Sequence, residues 1–395
     1  MSAGVMPALC FDRSGRPNKR FAVNFEIVTT TERLDVVCEH ARTKSAVMLD
    51  TEFVRTRTLY PKLGLIQLFD GDSLVLIDPL AIDDLEPLWA LLRDQSVIKV
   101  LHACGEDLEV FQHYAGCLPV PMLDTQVMAS FLGYGVSAGF GTLVNDFLGI
   151  ELDKGEARTN WLARPLTTKQ LDYAAADVFY LLPLYEKLYE QVEAKGWLDA
   201  LKQECSSLML KRMKQADPEK AYLDIKNAWQ LDPKQLAILQ KAAKWRMLEA
   251  RKRDLALNFI VKELHLWKLA RFNIKSKAVM AKEGFDSMEI QRHAGRLLKM
   301  VYDVDKMSPL DYPEKIVRLV DLPGYKQLVK RIKDEVTKVE AETGLAPEFL
   351  ASKKQVNQLI SWAWKKQMPA DDLPDMMKTW RKALFEERVM PLLKR

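Results

Sequence analysis

AVMLDTEFVRTRTLYPKLGLIQLFDG, residues 46–71, is the stretch from which the fold is read. Residues 46–50 form a short strand in this reading, and Val47, Met48 and Leu49 place it in a core. It ends in an acidic pair, Asp50 and Glu52. Side chains alternate along a strand, so these two leave the same face. LGLIQLF (63–69) and SLVLIDP (73–79) read as a hairpin around Asp70-Gly71-Asp72. Outward from there, residues 24–28 make another strand and VIKVLHA (97–103) a further buried one. Helical periodicity covers 31–42, 84–93, 105–115, 124–132, 139–148 and 168–194, with Thr167 or Thr168 as cap of the last. Strands alternating with helices give an α/β domain over roughly 22–200.

Beyond about residue 205 the strand signals stop. Helices are expected at 217–225, 233–255, 261–269, 276–281 and 286–304. After the Pro-containing MSPLDYPEK (307–315) come more, at 323–343, 347–350, 352–365 and 373–387. LDPKQLAILQKAAKWRMLEARKRD (231–254) and LPGYKQLVKRIKDEVTKVEAETG (322–344) occupy equivalent places in two blocks of about eighty residues. Two divergent copies of one helical domain follow from that pattern.

With 395 residues the chain is too long for one ordinary core. No run of eighteen apolar residues is present, so no membrane span is expected. The first 21 residues carry Arg13, Arg16, Lys19 and Arg20 without an apolar signal core; they read as a polar, poorly ordered extension. Five cysteines, none in a CxxC pair, argue against a disulfide framework or structural zinc and fit free thiols in a reducing cytoplasm. Residues 1–200 hold 18 Lys/Arg against 28 Asp/Glu, whereas residues 201–395 hold 40 against 26. An acidic, metal-dependent half joined to a basic, polyanion-binding half accounts for that split.

The chemistry lies in four separated carboxylates. Asp50 and Glu52 close the first core strand, Asp107 follows the next core strand in HACGEDLEVF, and Asp177 sits in the Ala-rich helix LDYAAADVFYLL. Brought together they repel one another unless cations intervene, and oxygen donors suit hard ions, Mg2+ or Mn2+, rather than zinc. Two such ions clamp the attacking and leaving oxygens of a phosphodiester. Tyr173, one turn before Asp177 on the same face, would orient the attacking water. A tyrosine near its ordinary pKa of about 10 is a poor base at neutral pH.

LDTEFVRTRTLYPKLGLIQLFDG, HACGEDLEVF and the region from LDTQVMASFLGYG through LDKGEARTNWLARPLTTKQLDYAAADVFYLLPLY resemble the motifs of the ribonuclease D family. That family belongs to the DEDD exonucleases, in the tyrosine-bearing subgroup. The resemblance implies a ribonuclease H-like mixed-sheet exonuclease domain (22–205) followed by two small all-α HRDC domains (216–296 and 312–390), arranged as a monomeric ring. It implies a 3′–5′ exoribonuclease that uses two divalent ions, Mg2+ or Mn2+, releases 5′-monophosphates and matures tRNA precursors with 3′ extensions. Asp50, Glu52, Asp107 and Asp177 would be the metal-binding catalytic residues, and Tyr173 would orient the water. Phe53, Leu63, Gly64 and Gln67 are candidates for the terminal-nucleotide pocket.

His102 is a candidate phosphate contact. Arg55, Arg57 and Lys62, with Lys154, Arg158 and Arg164, are candidates for holding the 3′-terminal backbone. Trp161 is expected to pack its loop, and the segment 151–166 to move over the substrate. On the helical repeats Lys241, Lys244, Arg246, Arg251, Lys252 and Arg253 are the expected RNA contacts; Trp229, Trp245 and Trp267 are expected to fill small cores. A DNA 3′ exonuclease, or a binding module with a dead nuclease core, are the competing readings.

Overall fold

In the computed structural model, residues 23–152 and 155–394 are described. The expected extension at 1–21 and the candidate Lys154 lie outside them. Six strands form one mixed sheet: β1 (Glu26–Val28), β2 (Ala46–Val54), β3 (Lys62–Phe69), β4 (Leu74–Ile77), β5 (Ile98–Leu101) and β6 (Met122–Asp124), in the spatial order β1-β4-β3-β2-β5-β6. β2, β3 and β4 run antiparallel to their neighbours in this set, whereas β1–β4, β2–β5 and β5–β6 are parallel. β6, three residues long, escaped the sequence reading because it is too short to show alternation. β2 runs four residues beyond Asp50, and its register with β3 shifts between Glu52 and Phe53.

Around the sheet lie α1 (Thr31–Ala41), α2 (Glu86–Arg93), α3 (Asp107–Tyr114), α4 (Thr125–Phe131), α5 (Phe140–Leu148), α6 (Thr168–Ala194) and α7 (Leu198–Met213). The long helix α6 starts with a capping box, in which Thr167 and Gln170 satisfy each other's backbone N–H groups. Its Ala174 and Ala175 let it settle closely on one face of the sheet, over Met48, Leu65, Phe69, Leu76 and Val100. The opposite face buries Val47, Leu49, Ile66, Leu68 and Ile77 with Leu34, Leu88 and Phe111. α7 was not anticipated. Its buried Leu201, Cys205 and Met209 are interspersed with the exposed Leu210 and Met213, which blurs the apolar stripe.

The helical half forms two groups of helices. α8 (Pro233–Arg253), α9 (Leu257–Ile260), α10 (Glu263–Arg271), α11 (Lys277–Lys282) and α12 (Ser287–Asp305) surround Leu236, Leu239, Leu266, Leu297 and Val301. α13 (Tyr325–Thr343), α14 (Pro347–Leu350), α15 (Lys353–Trp364) and α16 (Thr379–Val389) bury Leu328, Ile332, Phe349, Leu359 and Phe385. The helix expected at 217–225 is a 3-10 segment, Pro218–Asp224, and the one expected from 373 begins only at Thr379. Among the described residues no helix is long and apolar enough to cross a membrane.

Candidate active site

Asp50 and Glu52 leave β2 on the face covered by α6, and Asp177 comes down from α6 to meet them. One carboxylate oxygen from each lies within 4.8 Å of the others. Asp107 stands outside that trio. It opens α3, where the first-turn N–H groups favour negative charge, and its Oδ1 accepts a hydrogen bond from the Thr51 hydroxyl. Thr51 lies between Asp50 and Glu52, so one strand supplies two members of the trio and a tether for Asp107. A cavity of about 170 Å3 opens onto the group, lined by Leu49, Asp50, His102, Phe140, Tyr173, Asp177 and Leu181.

The turn before Asp107 is built by a residue the sequence reading treated only as part of a motif. Ala103 takes a left-handed φ of 52°. The buried Asp124 carboxylate receives the N–H groups of Ala103 (3.1 Å) and Cys104 (2.9 Å) and, from α4, that of Gln126 (2.7 Å). Thr125 bonds the Leu101 carbonyl at 3.2 Å and the His102 ring at 2.9 Å. The Asp-Thr of LDTQ, an acceptor at a helix start, was the available signal.

Concentrated negative charge shapes the protonation of the site. Burial, followed by the nearby Asp107, Asp177 and Glu52, pushes Asp50 well above the usual carboxylate range. Burial likewise raises Glu52 to about 9 and Asp177 to about 7, the latter restrained by a hydrogen bond from Tyr173. Asp107 rises to about 6, with burial opposed by the Thr51 bond. Burial and the facing carboxylates push the Tyr173 phenol further up, so it stays protonated. Arg55, the next cation along the chain, does not relieve the cluster; it pairs with Glu109 at 2.8 Å and approaches Glu106 at 4.0 Å. Hard oxygen donors gathered in this way fit divalent metal ions.

The remaining candidates separate clearly. His102 lines the cavity, and burial lowers its pKa, so the ring is neutral there. Phe53, beyond the register shift, packs against the core on the other side of the sheet. Gln67, expected in the terminal-nucleotide pocket, is fully buried and absent from the cavity wall, because the sheet pairing places it beneath α6. Arg158 is exposed, and Lys62 is exposed at the start of β3. Leu63 is buried, and Gly64 is pressed against Trp161: a Cβ there would stand 2.6 Å from the Trp161 carbonyl oxygen.

Trp161 is wholly buried, packing its loop as expected. Arg164 is committed internally, donating to both Asp78 oxygens (2.7 and 2.6 Å) and to the Gly64 carbonyl (2.6 Å). The end of the 151–166 segment is therefore stapled to the sheet, contrary to the expectation that all of it moves. Arg57 lies over the Phe259 ring at 5.7 Å.

On the first helical repeat Arg246 is buried and donates to the Val261 carbonyl at 3.2 Å, which removes it from the expected RNA contacts. Lys244 pairs with Glu219, and Arg253 with Glu249 at 2.5 Å. Arg251 donates to the Ala216 carbonyl at 2.5 Å, and Lys252 is exposed. Trp245 fills that repeat's core; Trp229 lies under Arg318 at 3.6 Å, and Trp267 donates to the Asn227 carbonyl at 3.1 Å.

Residues 25–193 match the family described as 3′-5′ exonuclease, 235–301 the HRDC domain, and 323–389 the ribonuclease D C-terminal HRDC domain. Ribonuclease D of Cronobacter turicensis is 48% identical over 367 residues, covering 93% of this chain and 99% of the relative. The crystal structure of Escherichia coli RNase D, described as an exoribonuclease involved in structured RNA processing, is 47% identical. It superposes with a TM-score of 0.91 over 94% of this chain and 99% of its own. The catalytic core of RRP6 from Trypanosoma brucei, 21% identical with a TM-score of 0.60 over 72% of this chain and 80% of its own, shares the fold.

Proposed function

The chain belongs to the ribonuclease D family of metal-dependent 3′–5′ exoribonucleases, and from that premise we propose how its own residues perform the reaction. The observation that carries the proposal is the gathering of Asp50, Glu52 and Asp177, with Asp50, Asp177 and Tyr173 lining one cavity. Asp50, Glu52, Asp107 and Asp177 would hold two divalent ions, Mg2+ or Mn2+. When bound, these supply an activated water and a counter-charge for the leaving 3′ oxygen. Tyr173 keeps its proton and orients the water by hydrogen bonding, with Asp177 fixing the phenol. Thr51 holds Asp107 in place. Neutral His102 offers its ring to a phosphate oxygen on the far wall of the cavity. Lys154 and Arg158 hold the 3′-terminal backbone. Arg55 contributes through its pairing with Glu109, which sets the loop after β2.

The reading extends to RNA entering by its 3′ end, with tRNA precursors bearing 3′ extensions as substrates, processed by a cytoplasmic monomer. The exonuclease domain spans 22–205, and the HRDC domains 216–296 and 312–390 guide the strand through their basic surfaces. The test uses 5′-labelled single-stranded RNA and matched DNA, with Mg2+, Mn2+ or excess EDTA. Asp50→Ala and Tyr173→Phe run beside the parent. A ladder shortening from the RNA 3′ end, lost in EDTA and in Asp50→Ala, is the expected result. A ladder on DNA alone would move the reading to DNA metabolism, and binding without cleavage would remove the enzymatic reading.

A further inference from the structure

Gln67 is the most anomalous polar group in the exonuclease core. Its side chain is fully buried, and neither Oε1 nor Nε2 has a hydrogen-bond partner. A buried amide left unpaired is costly, and an apolar residue of the same length would avoid that cost. The surroundings show where a partner lies. Gln67 alternates with Leu65 and Phe69 along β3, so it faces α6 with them. On one side its cross-strand neighbour is Leu76. On the other it is Asp50. Directly opposed residues on one sheet face have Cβ atoms about 4.5–5.5 Å apart, within reach for an amide and a carboxylate. α6 packs on this face through Ala174, Val178 and Leu181, and its Asp177 carboxylate comes to Asp50. In register with Gln67, the polar group available is the Asp50 carboxylate.

We propose that Gln67 is a positioning residue for Asp50: in the ion-loaded enzyme its Nε2 donates to an Asp50 carboxylate oxygen and holds that carboxylate in its ligating orientation. Once ionised, Asp50 needs a donor for the lone pairs its ions leave free, and a neutral amide supplies one without adding charge. Groups that orient metal ligands in this way are commonly worth 10–100-fold in metal affinity. This inference rests on the reading of Asp50 as a metal ligand.

The test measures Mn2+ binding to the full-length protein without RNA, by electron paramagnetic resonance of the free ion, for the parent, Gln67→Met, Asp50→Asn and the double variant. Melting temperatures in EDTA are recorded for each. We expect Gln67→Met to melt in EDTA at or above the parent, since an unpaired amide is gone, and to bind Mn2+ 10–100-fold more weakly. In the Asp50→Asn background the same change should cause no further loss. Unchanged Mn2+ affinity in Gln67→Met would overturn the proposal, and so would an equal fold-loss in both backgrounds, which would mark a packing defect unconnected to Asp50. A parent that binds no Mn2+ would remove the metal reading itself, a result distinguishable from failure of the Gln67 assignment.

Discussion

The two helical repeats descend from one pattern yet attach to the exonuclease in opposite ways. The second repeat is fused to it. Phe131 and Trp197 of the exonuclease meet Phe349 and Trp380 of the repeat, with ring centroids 4.8 Å apart for Phe131–Phe349 and 6.1 Å for Trp197–Trp380. Beneath that cluster Arg381 pairs with Glu204 of α7 and donates to the carbonyls of Phe349 (2.7 Å) and Leu350 (3.1 Å). One hydrophobic core runs through both. The first repeat keeps a core of its own, into which Leu59 reaches from the loop after β2. That loop is also held by the Ala256 N–H on the Arg57 carbonyl (2.8 Å) and by Asp254 accepting from the Tyr60 N–H (3.0 Å). Thus one repeat acts as part of the nuclease body, and the other as a separate body clasped to the loop that follows β2. Similar sequences build similar helices, but a few interface side chains decide which helices share a core.

The harshest way to break this comparison is Arg381→Ala. Removing one partner of a buried ion pair leaves an uncompensated charge and costs about 3–5 kcal/mol. Here the lost carbonyl contacts add to it. Calorimetry should show the exonuclease and second-repeat transition shifting down as one, with the first repeat's transition unmoved. Independent melting of the second repeat from the exonuclease would contradict the shared core.

Metal and pH sharpen the same contrast. The carboxylate cluster lies between the sheet and α6, inside the fused body. Its folded pKa values are raised, Asp107 to about 6, Asp177 to about 7 and Glu52 to about 9, whereas unfolded carboxylates titrate near 4. Between those limits the folded state binds more protons than the unfolded one. Stability without metal is therefore fully present below the unfolded values and is lost as pH rises through about 6 to 9. Mg2+ or Mn2+ relieves the repulsion, so the stabilisation gained on adding either ion should grow from pH 5.5 to pH 8.5, as is expected for ligands that must be deprotonated to bind. The effect should fall on the fused transition alone. A metal response that is flat with pH, or one seen in the first repeat's transition, would contradict the assignment.

Much of this was legible because chemistry and periodicity coincide. Asp50 and Glu52 at a core strand, and Tyr173 and Asp177 one turn apart, are spacings whose faces follow from backbone geometry alone. The division into an α/β half and a helical half followed from the loss of alternation. Contacts between distant segments were not legible. Arg164 looked like a phosphate ligand because nothing local reveals that Asp78, 86 residues earlier, takes its guanidinium. Gln67 read as a candidate for the nucleotide pocket, because its place opposite Asp50 depends on a register that only the paired strands fix. Asp124 was hidden because three of its acceptor contacts shape a turn some twenty residues away or cap its own helix.

Gly64 offers a smaller perturbation of the fused body. A methyl group there meets the Trp161 carbonyl oxygen at 2.6 Å and its Cβ at 2.8 Å. Because both are close to backbone, relief requires the loop to move, and overpacking of this kind costs about 1–3 kcal/mol. Trp161 lies 6.2 Å from the Tyr173 ring, so the displacement reaches the phenol proposed to orient the water. Gly64→Ala should therefore lower kcat more than it raises KM for RNA, alongside a modest fall in melting temperature. A change in KM alone would place the effect at the substrate surface instead.

The gentlest test addresses the clasp. Asp254 takes a left-handed φ of 49° at the end of α8, and its carboxylate holds the Tyr60 N–H. Asp254→Asn keeps an acceptor and tolerates that backbone, whereas Asp254→Ala removes the acceptor and leaves the strained φ to a residue that disfavours it. Losing one such bond costs about 1 kcal/mol, and the loss is confined to the junction. Both calorimetric transitions should stay within a degree or two of the parent, while amide exchange quickens across residues 55–61 in Asp254→Ala and stays near parental in Asp254→Asn. Exchange in β2 itself should remain slow, because its pairing with β3 and β5 does not depend on the clasp. Faster exchange reaching Asp50 would mean that the first repeat reaches β2 directly, and the two repeats would then differ in the strength of their attachment rather than in its kind.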